Sequence, residues 1–165
     1  MAKTYIAPTA TVSGDVVLGD RVNVWHGAVI RGDMGAIRIG DNTNIQDNCV
    51  LHEAVTVGSG CSVGHGAILH GCTVGNDCVI GMGAIILNGA VLEDHCLVGA
   101  GAVVTGKMRA PAGSLILGNP ATVVKPLTQE QIDYIHQDAE TYPYIFVYND
   151  IQVLNNLMRF LFVIY

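Results

Sequence analysis

Three histidines, His52, His65 and His70, offer the plainest chemistry in this sequence of 165 residues. Imidazole is a general base near neutral pH and the commonest side-chain ligand for transition metals. His52 and His70 are 18 positions apart, and His65 precedes His70 by five. The first interval and the second belong to different patterns, so the elements that carry these residues decide which of them can meet.

Those elements are announced by a period of six. Aliphatic residues recur at Ile6, Val12, Leu18, Val24 and Ile30. They recur again at Ile39, Ile45, Leu51, Val57, Val63 and Leu69, and again at Val74, Ile80, Ile86, Leu92, Val98 and Val104. Two irregularities separate the runs: three residues are inserted between Ile30 and Ile39, around Arg31–Arg38, and one is missing between Leu69 and Val74. A sustained six-residue period predicts a parallel β-helix in which three short strands make one triangular coil of 18 residues. The aliphatic residues point into the prism, and coils repeat at the interstrand spacing of about 4.8 Å.

This register places the side chains. Arg31, His52, His70 and Leu87 each follow a member of one stacked column (Ile30, Leu51, Leu69, Ile86), so His52 and His70 stand one above the other with Arg31 a coil away. His26, Asp47, His65 and Met82 stand two places after a second column (Val24, Ile45, Val63, Ile80), which puts His65 over Asp47 on a neighbouring side of the triangle. His65 therefore does not reach the His52–His70 pair within one chain, but a copy related by threefold symmetry can bring its own. Closed cyclic symmetry repeats such a heterologous contact without forming fibres. Three imidazoles with an open fourth position are the ligand set of a catalytic zinc ion. The same contact brings Arg31 of one chain toward Asp47 of the next, an ion pair that fixes register. His26, His95 and His136 lack such partners in the pattern; His95, in an exposed turn, and His136, on the cap helix, read as surface residues, with His26 an option for flanking the interface.

The bulk composition narrows the alternatives. Eight basic against 14 acidic residues leave a net charge of −6, with no basic patch for nucleic acid. The mean hydropathy is high (+0.42), yet no run approaches the roughly 18 apolar residues of a membrane span. Met1 to Pro8 lacks a signal-peptide pattern, so the expected location is cytoplasmic. The five cysteines are Cys49, Cys61, Cys72, Cys78 and Cys96. They form no CxxC pair, and four of them occupy a slot otherwise taken by Ala, which reads as small core packing.

Residues 1–126 read as the β-helix domain, with 111–126 as loops and a short strand closing the prism, and 127–165 as a helical segment packed on it. Thr128 and Gln131 form a capping box that opens a helix over Gln129–Thr141. Residues 144–165 carry apolar side chains at helical spacing, read first as an amphipathic helix on the chain's own trimer, ahead of a membrane-surface helix, for which Arg159 is the one cation, and of a foreign or frame-shifted end. The fold class is thus mainly β, a single-stranded parallel β-helix with a C-terminal α-helix.

The motifs Arg31-Gly32-Asp33, Asn44-Ile45-Gln46-Asp47-Asn48, His52, Gly64-His65-Gly66 and His70-Gly71 resemble those of the γ-class carbonic anhydrase family, over roughly residues 5–142. The resemblance implies a left-handed β-helix and a homotrimer, with Zn2+, or alternatively Fe2+ or Co2+, bound by His52, His65 and His70 between subunits. It further implies an intersubunit salt-bridge set from Arg31, Asp33 and Asp47, a water-orienting role for Gln46, and Tyr142 approaching the site from the C-terminal helix. The implied reaction is hydration of CO2 to bicarbonate, for which a metal lowers the pKa of bound water to about 7. Two departures bear on rate. Met34 stands where the prototype has a glutamate, and the acidic shuttle loop after the first histidine is absent, leaving Glu53 as a partial substitute or a solvated turn residue. The rival readings are a hexapeptide acyltransferase or a metal-dependent thioesterase acting on a CoA thioester, and a non-catalytic trimeric scaffold.

Overall fold

The structure is a computed structural model in which residues 4–136 are described. It is a left-handed parallel β-solenoid of about six turns with a C-terminal helix. The six-residue period maps directly onto its strands. Ile30, Leu51 and Leu69 stack in register, followed by Ile86 and Val104. A second column runs Val24, Ile45, Val63, Ile80, Val98 and Ile116. A third runs Ile39, Val57, Val74, Leu92 and Ala110. All of these residues are buried, and each column faces the other two inside the prism. Full burial of one such side chain contributes about 1.5–3 kcal/mol, so the stacked columns are the main cohesive element. The five cysteines are buried in the same core.

The three sides form two sheets because one strand turns a corner. Val29–Ile39 pairs with Val50–His52 on one side and with Val55–Val57 on the next, joining two columns into a ten-stranded sheet. The second column, from Val24 to Ile116, makes the eight-stranded sheet. The three-residue insertion lies within Val29–Ile39. Its neighbour Thr11–Leu18 matches it through Gly14↔Gly32 and again from Val16↔Ile37, so Asp33–Ala36 bulge outward opposite Asp15. Arg38 closes the base of the bulge with a bidentate grip on Asp15, at 2.8 and 3.1 Å. Met34 on its crest is 72% exposed.

The segment closing the prism differs from the expected loops and single short strand. Ser114–Gly118 and Ala121–Pro126 form an antiparallel hairpin across a cis Asn119–Pro120 bond, and its first strand extends the eight-stranded sheet. The hydrophobic period fades here because an antiparallel return strand packs only one face. The capping box is present: the Gln131 N–H donates to Thr128 Oγ1 and the Thr128 N–H to Gln131 Oε1. Residues 129–136 are helical, and Ile135 is buried against the body of the fold. The expected remainder of that helix, Tyr142 and the apolar tail lie outside the described residues.

Candidate functional site

Arg31, His52 and His70 occupy consecutive rungs of one ladder, paired Arg31↔His52 and His52↔His70. The predicted stack is therefore met. The two rings are 5.1 Å apart between centroids and tilted by 59°, with His52 Nδ1 and His70 Nε2 facing at 3.1 Å. Outer partners hold the other nitrogens. The bulge at 33–36 brings Asp33 Oδ1 to 3.1 Å from His52 Nε2 and 3.3 Å from Arg31 Nε, while Arg31 Nη2 lies 3.0 Å from the same His52 nitrogen.

His70 is held by a residue that the sequence reading did not single out. Its Nδ1 lies 2.6 Å from Asn88 Oδ1, and Asn88 Nδ2 donates to Glu53 Oε2 at 3.0 Å. A carboxylate can only accept hydrogen bonds, so Glu53 takes the amide N–H of Asn88 and sets which way that amide faces. Asn88 Oδ1 then accepts from His70 Nδ1–H, and the His70 lone pair lies on Nε2, toward His52. Glu53 is thus not a freely solvated turn residue; it anchors this chain of bonds from a left-handed corner (φ 62°). Gly71 makes the reach possible. Its φ is +57°, and a Cβ there would meet the Asn88 amide at 2.7 Å.

His52 has two proton positions with different consequences. With the proton on Nε2, donated to Asp33, the Nδ1 and Nε2 lone pairs of the two rings face each other at 3.1 Å. A cation between them relieves that repulsion. The separation is close to the edge of about 3.3 Å expected for two nitrogens on a tetrahedral zinc ion, and a ligand histidine whose other N–H binds a carboxylate is the usual outer arrangement. With the proton on Nδ1, His52 donates to His70 and accepts from Arg31. That is a metal-free dyad whose base is oriented from both ends. The donor set fits a divalent transition ion, and it also fits proton transfer.

His65 lies on another side of the prism, as expected. Its Nδ1 is 2.8 Å from Asp47 Oδ2, which leaves Nε2 as the free ligand atom, and half of its side chain is exposed. Gln46 accepts from the His65 backbone N–H at 3.1 Å and donates to Asn44 Oδ1 at 3.1 Å. It therefore sets the height of the His65 segment. Within the chain Arg31 pairs with Asp33 and Asp47 with His65. His26, read as partnerless, lies 2.9 Å from Thr9 Oγ1 through its Nδ1.

A second cluster supplies partners that the sequence pattern did not assign to the surface residues His95 and His136. These rings stack at 5.4 Å and both approach Asp77, so that Asp77, His95 and His136 offer three ligand atoms within 4.8 Å of one another. It is a group that could hold a metal ion, and among the described residues no other His/Cys/Asp/Glu group does so within the single chain. Half of it was readable: Asp77 and His95 are 18 apart, the interval that pairs His52 with His70. His136 was not, because the path of the helix over the solenoid is not encoded in the repeat.

The chain is 42% identical over 135 residues to a carbonic anhydrase of Geobacillus kaustophilus, a match covering 79% of this chain and 74% of that one. It belongs to the left-handed β-helix hexapeptide-repeat superfamily that includes the γ-class carbonic anhydrases and related acyltransferases. Within that superfamily, the family described as bacterial transferase hexapeptide (six repeats) matches residues 36–71 and 71–106. The mitochondrial γ carbonic anhydrase 2 of Arabidopsis thaliana is 44% identical over 148 residues, covering 84% of this chain and 53% of the relative. The chain thus spans about half the length of that superfamily member. Among solved structures, a hexapeptide transferase family protein from Anaplasma phagocytophilum superposes with a TM-score of 0.77 at 36% identity, covering 86% of this chain and 90% of that one. Among the described residues no helix is long and apolar enough to cross a membrane.

Proposed function

We propose that the chain reversibly hydrates CO2 to bicarbonate at a divalent metal centre between subunits of a homotrimer, with His52 and His70 from one subunit and His65 from the next. The observation that carries this reading is the facing pair of imidazole nitrogens at 3.1 Å, each ring held from behind by its own partner. An ion bound there, zinc or else iron or cobalt, would lower the pKa of a coordinated water to about 7 and so supply the nucleophile.

The chain's own residues prepare the site. Asp33 holds His52, Asn88 holds His70, and Asp47 holds His65, each leaving one nitrogen of its ring free. Gln46 fixes the His65 backbone, and Tyr142 is the residue proposed to approach from the C-terminal segment. Arg31, paired with Asp33 within the chain, would add a bond to Asp47 of the next subunit, whose carboxylate has two oxygens to serve both Arg31 and His65. Glu53 is committed to Asn88, so it is a weak proton shuttle. The proton leaves through external buffer, and turnover follows buffer concentration.

A second reading is acyl transfer from a CoA thioester, with the His52–His70 dyad as base. The match to the transferase family and the likeness to a hexapeptide transferase favour it, as does the metal-free protonation state that the dyad supports. The discriminating experiment is metal analysis of anaerobically purified protein with CO2-hydration and acetyl-CoA assays before and after chelation. Metal-dependent hydration that rises with buffer concentration is the expected result. Metal-loaded protein without hydration, together with transfer that survives chelation, would replace the first reading by the second. His65→Ala should release the metal. If trimers also fall apart, the metal is a staple and not a reaction centre.

A further inference from the structure

We propose that Asp77, His95 and His136 form a second binding site for a divalent transition ion of the zinc class, which fastens the C-terminal helix to the β-helix. This site is separate from the His52, His65 and His70 set and does not depend on the reading of that set.

The argument starts at one corner of the prism. Residues there take left-handed backbone angles in a vertical series: Arg21, Asn42, Gly60, Asp77, His95 and Gly113. Backbone bonds tie each coil to the one before, Asp77 N–H to Ser59, His95 N–H to Asn76 and Gly113 N–H to Asp94. Asp77 and His95 are therefore on adjacent coils at the same corner position. The helix is brought to that corner by its apolar side. Leu127 N–H donates to the Gly113 carbonyl at 2.7 Å, Ile132 packs over Gly113, and Ile135 is buried. His136, next in the chain, is thereby held above His95.

Three ligand atoms converge from this packing. His136 Nε2 lies 3.4 Å from His95 Nδ1, while Asp77 Oδ2 lies 3.9 Å from His95 Nδ1 and 4.0 Å from His136 Nε2. The last two separations exceed hydrogen-bond range, so the carboxylate faces both rings without bonding either. Three ligands on a tetrahedral zinc ion stand about 3.3 Å apart. The edge between the two rings already matches, and the two Asp77 edges need a contraction of about 0.6–0.7 Å, at side chains that are each about one-third to one-half exposed. Two imidazoles and a carboxylate are a standard donor set for zinc and ferrous iron, whereas magnesium and calcium prefer all-oxygen sites. With three protein ligands, water takes the fourth place. The site joins elements 41 residues apart in sequence. Because the ligands converge only when the helix is docked, ion binding favours the docked state.

Zinc binding to the full-length chain, measured by equilibrium dialysis with Zn2+ alone, tests this. His136→Ala should lower the stoichiometry by one zinc per chain, whether or not the His52 centre is also loaded. Asp77→Asn and His95→Asn, which keep residues tolerant of the left-handed corner, should lower it likewise. In the unmodified chain, zinc at ten times its dissociation constant should slow amide exchange within residues 129–136 about tenfold, and Mg2+ should not. Equal stoichiometry in the unmodified and H136A chains overturns the proposal, as does helix exchange that is indifferent to zinc. A loss of zinc confined to substitutions at His52, His65 or His70 overturns it too, while leaving the metal-centre reading intact.

Discussion

Replacing Asn88 by Ala tests how far the His52–His70 geometry depends on residues behind it. The side chain supplies one bond to His70 Nδ1 at 2.6 Å and one to Glu53 Oε2 at 3.0 Å. Asn88 itself is exposed, so water replaces both bonds in the variant and the fold should lose less than about 1 kcal/mol. The ring of His70, by contrast, loses its fixed tautomer and orientation. Removing such an outer partner costs roughly 10–100-fold in metal affinity. Solvent access at Asn88 argues for the lower end, about tenfold or 1.4 kcal/mol. Asn88→Asp keeps an acceptor for His70 while setting two carboxylates side by side at Glu53, so it should retain zinc affinity better than Asn88→Ala. Glu53→Gln still offers an oxygen to Asn88 and should be nearly neutral. Zinc affinity would be read by chelator competition in an H136A background, where only the His52 centre reports, with circular dichroism confirming the fold. An N88A variant that folds normally and binds zinc within about twofold of its parent would refute the argument.

The remaining expectations concern the scaffold. Leu69→Ala, fully buried between Leu51 and Ile86, should cost about 2–5 kcal/mol, measurable as a fall in urea midpoint. Gly81→Ala should destabilise more than Gly83→Ala in the same thermal melt. A Cβ at Gly81 would lie 2.5 Å from the Ala100 backbone nitrogen, whereas one at Gly83 meets nothing within 4 Å and bears only the left-handed φ of +66°, about 1–2 kcal/mol. Burial pushes the Cys49 thiol up to about 11 and the Cys72 thiol up to about 12. Thiolate is the reactive form, so native protein at pH 8 should resist iodoacetamide at these two sites and react at both once unfolded; rapid native labelling at Cys72, followed by mass spectrometry, would contradict its burial.

The parts of this protein that a sequence reading reaches are those governed by the period. An aliphatic residue every six positions fixes what points inward, and with it what stands beside what on the next coil. For that reason the His52–His70 stack, the offset of His65 onto Asp47 and the two breaks in the repeat are all legible in the sequence. What escaped is lateral. Asn88 reaches across a coil to Glu53 because Gly71 leaves no Cβ in its path and because the shortened interval from Leu69 to Val74 slides the following rungs by one. Neither effect leaves a mark at Asn88 itself. His136 meets His95 because a helix outside the repeat lies down on Gly113, a direction set by three-dimensional packing of Ile132 and Ile135. The two omissions have one cause: residues that orient a ligand, or add one, are chosen by the space next to the repeat and not by the repeat. In a solenoid the first ligands of a site can therefore be sought at multiples of the coil length, while their supporting partners must be sought wherever a small residue opens a corner.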